Sequence, residues 1–252
     1  MKDPLVSIIM PSYNSSATIE ESIQSVLKQT YKNYELIICD DNSVDNTIDV
    51  IEKYNLPNIT IIKNRYPKGA AGARNFAIQN SSGEYIAFLD SDDLWEETKL
   101  EKQINFMNSN NIKFCYGNYF IFEKEKIKGK FIAPQKLTYH DLLKTCHIGC
   151  LTVILHRTLL QPEPFPYSEK EDYQLWLNLL KKEEVAFNYN GCNSFYRKSS
   201  SSLSSNKFRE TLRQWRVIRN QKIKILRSIY YILTYIFHGL IKHTIKYKRR
   251  DF

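Results

Sequence analysis

The sequence predicts an α/β protein, Rossmann-like, with a mostly parallel central sheet flanked by helices. Three observations carry this. Short β-branched runs alternate with helix-period segments over roughly the first 90 residues, the pattern of βαβ units. Polar or acidic residues follow the strands at Pro11-Ser12-Tyr13-Asn14, Asp40-Asp41-Asn42-Ser43 and Asp90-Ser91-Asp92-Asp93, where such sheets bind ligands. The 252 residues, 42% of them hydrophobic with only eight Gly and eight Pro, suffice for a full core and exclude a disordered or collagenous chain.

Leu5 to Met10 is a β-branched run closed by Pro11, the mark of a strand buried on both faces. From Thr18 to Gln29, residues Ile19, Ile23, Val26 and Leu27 recur at helical spacing, with Thr18 and Glu21 placed as a capping box. A second strand, Glu35 to Cys39, leads into Asp40-Asp41 and a helix over about 45–54 that turns Ile48, Val50 and Ile51 inward. A third, Ile59 to Ile62, precedes a helix holding Ala73, Phe76, Ala77 and Ile78, and a fourth starts at Tyr85 and ends in three acids within four residues.

Acids so close repel one another unless a cation neutralises them. One reading is a Mg²⁺ or Mn²⁺ ion holding a phosphate-bearing substrate. The other is an acidic cap on a helix beginning Leu94-Trp95-Glu96-Glu97. The neighbouring polar strand ends favour the metal. GxGxxG after the first strand and GxxxxGK[ST] are both absent, which removes the usual dinucleotide and P-loop classes. Asp90-x-Asp92 also begins a DxDxT phosphatase signature, but Leu94 stands where Thr is needed.

Past a helix through Leu100 to Met107, the pattern changes. Lys113 to Phe122 reads as one or two strands broken at Gly117, Lys124 to Lys130 as a charged hairpin or loop, and His140 to Lys144 as a short helix. Ile148 to Leu155 leads into another strand. This mixed or antiparallel extension is where an acceptor would be recognised. Glu169, Glu171 and Asp172 open a helix whose Leu175, Trp176, Leu179 and Leu180 face inward, so Asp172 either caps the helix or looks into a cleft. Val185 to Tyr196 reads as a strand pair turning near Asn190-Gly191, and the Ser-rich run after Arg197 as a loop able to close on a diphosphate, or a linker.

The formal charge of +9 is uneven: residues 207–252 hold 13 of the 36 Lys and Arg but two of the 27 acids. Residues 1–206 are therefore read as a catalytic domain, with a nucleotide-binding half (1–95) and an acceptor half (96–206). Residues 207–252 are read as a basic amphipathic helical segment, one helix from Lys207 to Arg227 followed by 13 largely apolar residues, 229–241. That run is short of the ~20 needed to span a bilayer. Flanked by Arg227, Lys242 and Lys246, it suits the interface of an anionic membrane, or else packs on the domain or a partner subunit. Nucleic acid is not expected, because the aromatics lie inside the apolar run rather than among the charges. Five cysteines without a CxxC pair indicate a reduced, cytoplasmic setting, and no second ligand pair makes Cys146-His147-x-x-Cys150 a zinc site. No signal peptide is expected before Pro4.

Taken together, Ser7-Ile8-Ile9-Met10-Pro11-Ser12-Tyr13-Asn14, Asp40 to Asp45, Gly72-Ala73-Arg74-Asn75, Phe88 to Asp93 and Glu171 to Trp176 make the chain resemble the family 2 glycosyltransferases of the GT-A fold over roughly residues 4–207. The resemblance implies an inverting, metal-dependent transfer from a nucleotide-sugar donor, UDP-linked, to a hydroxyl of a lipid-linked or surface saccharide. It implies that Pro11 and Tyr13 line the base pocket, that Asp40 and Asp41 accept from uracil and ribose, and that Arg74 helps hold the nucleotide. Asp90 and Asp92 would form the DxD element, Asp92 ligating Mn²⁺ or Mg²⁺, with Asp93 and Glu171 in support. Asp172 would be the general base, and Arg197, Ser202 and Ser204 would contact the diphosphate. Asn42 stands where many members have Gly, which Asn tolerates because it visits the left-handed region. A peripheral enzyme on the cytoplasmic face of the inner membrane follows, with a homo-oligomer left open. The rivals are a sugar nucleotidyltransferase, disfavoured for want of a Gly-rich loop, and a non-catalytic binding or membrane-adaptor protein.

Overall fold

The computed structural model describes residues 3–124, 126–198 and 207–245. The centre is an eight-stranded sheet. β1 (Val6–Ser12) lies between β2 (Tyr34–Asp40) and β4 (Tyr85–Phe88), with β3 (Ile59–Lys63) beyond β2, all four parallel. Their crossovers carry α1 (Ile19–Leu27), α2 (Thr47–Ile51) and α3 (Ala70–Gln79), as the alternating pattern predicts. The sheet then turns mixed. β10 (Ile154–His156) runs antiparallel to both β4 and β6 (Phe114–Tyr116), β11 (Ala186–Asn188) is parallel to β6, and β9 (Lys136–Leu137) closes the edge.

Side-chain alternation along these strands feeds two apolar layers. Ile8, Met10, Leu36 and Ile38 pack with Ile19 and Ile23 of α1 and with Leu100 and Ile104 of α4 (Lys99–Asn110). Ile9, Ile37 and Phe88 pack on the other side with Ala73 and Ala77 of α3 and Trp176 of α6 (Glu171–Leu179). Trp176 sits among Phe88, Phe114 and Phe165 at centroid distances of 5.8, 5.6 and 6.3 Å. The tail helices, α7 (Lys207–Asn220) and α8 (Ile225–Ile245), join this second layer through the buried Val217, Ile218 and Tyr231, with α8 also meeting α5 (Tyr139–Lys144).

A second sheet of four strands, β5 (Leu94–Trp95), β12 (Ser194–Arg197), β7 (Tyr119–Glu123) and β8 (Lys126–Phe131), stands beside the first. It corrects two expectations. Leu94-Trp95 opens no helix: the pair is a strand, because Leu94 and Trp95 bond with Phe195 and Ser194 and bury Trp95, and α4 starts only at Lys99. The run 185–196 is no hairpin either, since β11 belongs to the large sheet and β12 to the small one.

Two local details also differ. The Thr18–Glu21 capping box is not made; Thr18 Oγ1 instead donates to the Ser91 carbonyl at 2.9 Å, tying the start of α1 to the acidic loop. The basic helix does not run on to Arg227. It ends at Asn220, and the left-handed Lys222 (φ 59°) turns the chain into α8.

Candidate active site

The carboxyl ends of β1, β2 and β4 and the start of α3 enclose a cleft of about 220 Å³. Its walls include Pro11, Tyr13, Asp41, Arg74, Asp90 and Asp92, so six of the residues singled out in the sequence meet in one place. Parallel strands deliver their following residues to one edge, which is why positions as far apart as Pro11 and Asp92 close up here.

Arg74 is the hub. Buried at 4% exposure, it holds Asp90 Oδ1 through Nη2 at 2.6 Å and Glu171 Oε1 through Nη1 at 2.7 Å. Burial opposes its charge, yet the carboxylates of Asp90 and Glu171 hold its pKa well above the ordinary value. One guanidinium thus joins the acidic loop after β4 to the first turn of α6. Its Nε is buried with no hydrogen-bond partner among the described residues.

Asp92, Asp93 and Asp172 are all raised above the ordinary carboxylate range. Burial and then the neighbouring Asp90 push Asp92 up to about 6. Burial and then Glu171 push Asp172 up to about 6 as well, against the pull of Arg74. Asp93 is fully enclosed and raised well above the carboxylate range by burial and by Asp92 and Asp90, and it accepts the Arg197 N–H at 2.8 Å. It ties β12 to the acidic loop. The Asp92 carboxylate takes no hydrogen bond from another described residue, and Asp90 gives one oxygen to Arg74, so both retain hard oxygen donors of the kind Mg²⁺ and Mn²⁺ take. Among the described residues no group of three or more His, Cys, Asp or Glu could hold an ion. A bound ion would complete its sphere with substrate phosphate and water, as Mg²⁺ does.

Other predicted residues lie as follows. Asp41 is buried and accepts from Asn64 Nδ2 at 2.6 Å and the Gly69 N–H at 2.7 Å. Asp40, also buried, is not on the cleft wall; it accepts from the Ser43 N–H at 2.9 Å and from the Ser43 and Ser12 hydroxyls. Arg197 turns its guanidinium to the Asp92 carbonyl at 2.7 Å and Glu21 at 2.7 Å, over the Phe122 ring. Ser202 and Ser204 lie outside the described residues. Asn42 is left-handed, at φ 62°.

Sequence reasoning missed Asn64, Lys68 and Gly69. Lys68 Nζ lies 4.3 Å from the Tyr13 ring centroid and donates to its hydroxyl at 3.2 Å, flanking the aromatic face that lines the cleft. Gly69 adopts φ 123°, a conformation essentially reserved for glycine, and this aims its N–H at Asp41. Pro67-Lys68-Gly69 announces a loop, but nothing in it names Asp41 as the partner.

Comparison with known proteins adds to this geometry. A family model described as glycosyl transferase family 2 matches residues 7–165. Two Escherichia coli relatives, WfgD and WfaP, are both named UDP-Glc:α-D-GlcNAc-diphosphoundecaprenol β-1,3-glucosyltransferase. They are 55% and 48% identical to this chain, over 98% and 97% of both sequences respectively. TuaG of Bacillus subtilis, a putative teichuronic acid biosynthesis glycosyltransferase, is 39% identical over 92% of this chain and 94% of its own. Among solved structures, S. aureus TarS 1–349 in complex with UDP-GlcNAc superposes with a TM-score of 0.68 at 19% identity, over 92% of this chain and 71% of that one. The central sheet flanked by helices is thus that of GT-A glycosyltransferases. The chain belongs to glycosyl transferase family 2 and is a glycosyltransferase.

Proposed function

We propose that this enzyme transfers glucose from UDP-glucose to the GlcNAc of a GlcNAc-diphosphoundecaprenol acceptor, forming a β-1,3 linkage with inversion. The observation that carries the substrate assignment is the near-full-length identity, 55% and 48%, to two relatives named for that one reaction. The cleft supports it with a donor wall of Pro11, Tyr13 and Asp41 and a diphosphate end at Asp90 and Asp92; Asp172 lies off that wall, next to the Glu171 that Arg74 holds. An α-linked nucleotide donor that yields a β product requires attack from the face opposite the leaving group, and one base suffices for that.

Tyr13 and Pro11 offer the base an apolar surface, with Asp41 accepting from the nucleoside. Asp90 and Asp92 would hold Mn²⁺ or Mg²⁺, which would supply positive charge to offset the negative charge developing on the departing diphosphate. Asp172 takes the proton from the acceptor hydroxyl as that oxygen attacks the anomeric carbon. Arg74 fixes Asp90 and Glu171 against each other, so that the donor side and the base side keep a constant spacing. The lipid-linked acceptor sets the enzyme to work on the cytoplasmic face of the inner membrane, with 207–252 toward the bilayer.

The test is a donor panel of UDP-Glc, UDP-GlcNAc, UDP-Gal and GDP-Man on a short-chain GlcNAc-diphospholipid, with Mn²⁺ and after chelation. UDP-Glc should be preferred, the product anomeric proton should show a β linkage, and chelation should stop turnover until Mn²⁺ or Mg²⁺ returns. Preference for another donor, or an α product, would overturn the assignment. Conversion of UTP and glucose 1-phosphate to UDP-glucose and pyrophosphate, with no transfer to the lipid, would restore the nucleotidyltransferase.

A further inference from the structure

We propose that the outward face of α8 is a docking surface for an anionic phospholipid bilayer, and that it holds the start of helix α6 one helix layer from the membrane. The proposal rests on the lipid-linked acceptor argued above and adds the surface, the orientation and the chemistry of the partner.

α8 has two unlike faces. The inner one is packed: Ser228 and Tyr231 are buried, the Tyr231 hydroxyl and His140 Nδ1 are hydrogen-bonded at 2.8 Å, and the Tyr235 ring faces Lys170 Nζ at 5.6 Å. The outer one carries Leu226, Tyr230, Leu233 and Phe237 at spacings of four, three and four, a single helical stripe. These side chains are 79%, 55%, 61% and 61% exposed, with Ile229 beside them at 45%. A contiguous apolar stripe of this kind marks an interaction surface.

Charge decides what covers it. Lys222, Lys224 and Arg227 are exposed at the start of the stripe, and the sequence has no Asp or Glu between Glu210 and Asp251. A symmetric dimer through this face would set two such acid-free, basic segments against each other, because an isologous contact pairs a patch with itself. An anionic bilayer takes both features together, apolar side chains in the acyl boundary and lysines at the headgroups. Among the described residues no helix is long and apolar enough to cross a membrane, so the helix lies on the surface. Lys170, which faces Tyr235 on the inner side of α8, immediately precedes Glu171 and Asp172, so docking sets the first turn of α6 one helix layer from the membrane plane.

The experiment is co-sedimentation of the full chain with phosphatidylglycerol/phosphatidylethanolamine vesicles and with phosphatidylcholine vesicles, without donor or acceptor. Wild type should bind the anionic vesicles, and Leu233→Glu should lose roughly tenfold or more of that binding while keeping wild-type turnover on a short-chain, water-soluble acceptor. As a second measurement independent of the folding of that variant, Tyr230→Trp should show an emission blue shift on anionic vesicles that wild type does not. Wild type that ignores anionic vesicles, Leu233→Glu that binds as wild type does, or an introduced tryptophan whose emission lipid leaves unmoved would overturn the proposal. So would light scattering showing a dimer that Leu233→Glu converts to monomer, which would give the face to a second copy. Vesicle binding with no turnover of any GlcNAc-diphospholipid would leave the surface standing and sink the substrate assignment instead.

Discussion

Lys170 Nζ lies 3.1 Å from Glu210 Oε2, so the residue that introduces the acidic pair Glu171-Asp172 is gripped by helix α7. Glu210 also holds Arg213 at 2.8 Å, while Glu169 reaches Arg213 at 3.3 Å and Arg216 at 3.0 Å. Isolated surface ion pairs contribute little. Here they accompany buried contacts, because Val217 and Ile218 share a core layer with Trp176 and Gln214 Nε2 donates to the Tyr173 hydroxyl at 2.8 Å. Removal of residues 207–252 is therefore expected to do more than remove the proposed membrane surface. The shortened chain should lose its cooperative thermal transition or fall by more than about 10 °C, as several kcal/mol of lost core implies. Full turnover and an unchanged melting temperature in that chain would show the tail to be a mere appendage.

Asp172 predicts a pH profile. Burial and Glu171 push its pKa to about 6, and as the proposed base it must be ionised to accept a proton, so kcat should rise through about pH 6 and level off above it. Asp172→Asn should lower kcat by roughly 10²–10⁴-fold and abolish that limb, with UDP binding retained. A variant that keeps the limb places the titrating group elsewhere.

Gly69 predicts a penalty in backbone conformation. A Cβ there would meet nothing within 4 Å, so crowding is no obstacle, but φ 123° and ψ 168° are strained for any other residue. Gly69→Ala should cost about 1–3 kcal/mol. It should also raise the KM for UDP-glucose severalfold, since the turn aims the Gly69 N–H at Asp41. Calorimetry and donor titration read the two effects separately.

Lys99 predicts a gain. Its ammonium is buried without a hydrogen-bond partner among the described residues, 3.8 Å from the Trp95 ring centroid, and burial lowers its pKa from 10.5 to about 7. The folded chain therefore binds fewer protons than the unfolded one between about pH 7 and 10.5, and stability from this group rises with pH across that window. Lys99→Met should stabilise the protein by about 2 kcal/mol near pH 6.5, roughly 4–8 °C, with the margin shrinking toward pH 10. Equal melting temperatures at both pH values would show that the Trp95 contact already offsets the burial.

Much of this was legible in the residues, for identifiable reasons. β1 to β4 and their helices follow from periodicity alone, and the rule that ligands gather at strand ends brought Pro11, Tyr13, Asp41, Asp90 and Asp92 together before any coordinate. What stayed hidden depends on partners far along the chain. Leu94-Trp95 became a strand because Ser194 and Phe195 lie beside it, and Thr18 left its cap for the Ser91 carbonyl. Local propensity carries no record of such partners. Arg74 was legible as a residue of the cleft, but its joint hold on Asp90 and Glu171 spans a separation of 97 residues that no short motif encodes.

The pairing of β5 with β12 bears on how such enzymes can be recombined. Glu96 N–H donates to the Asn193 carbonyl at 2.9 Å, and Arg197 binds Asp93 through its N–H and the Asp92 carbonyl through Nε. The acidic loop and a strand 104 residues downstream are sewn into one unit. A chimera that imports 90–97 from a relative must therefore import 193–197 with it, and a library shuffled at boundaries between them should yield active members only when both segments share a parent.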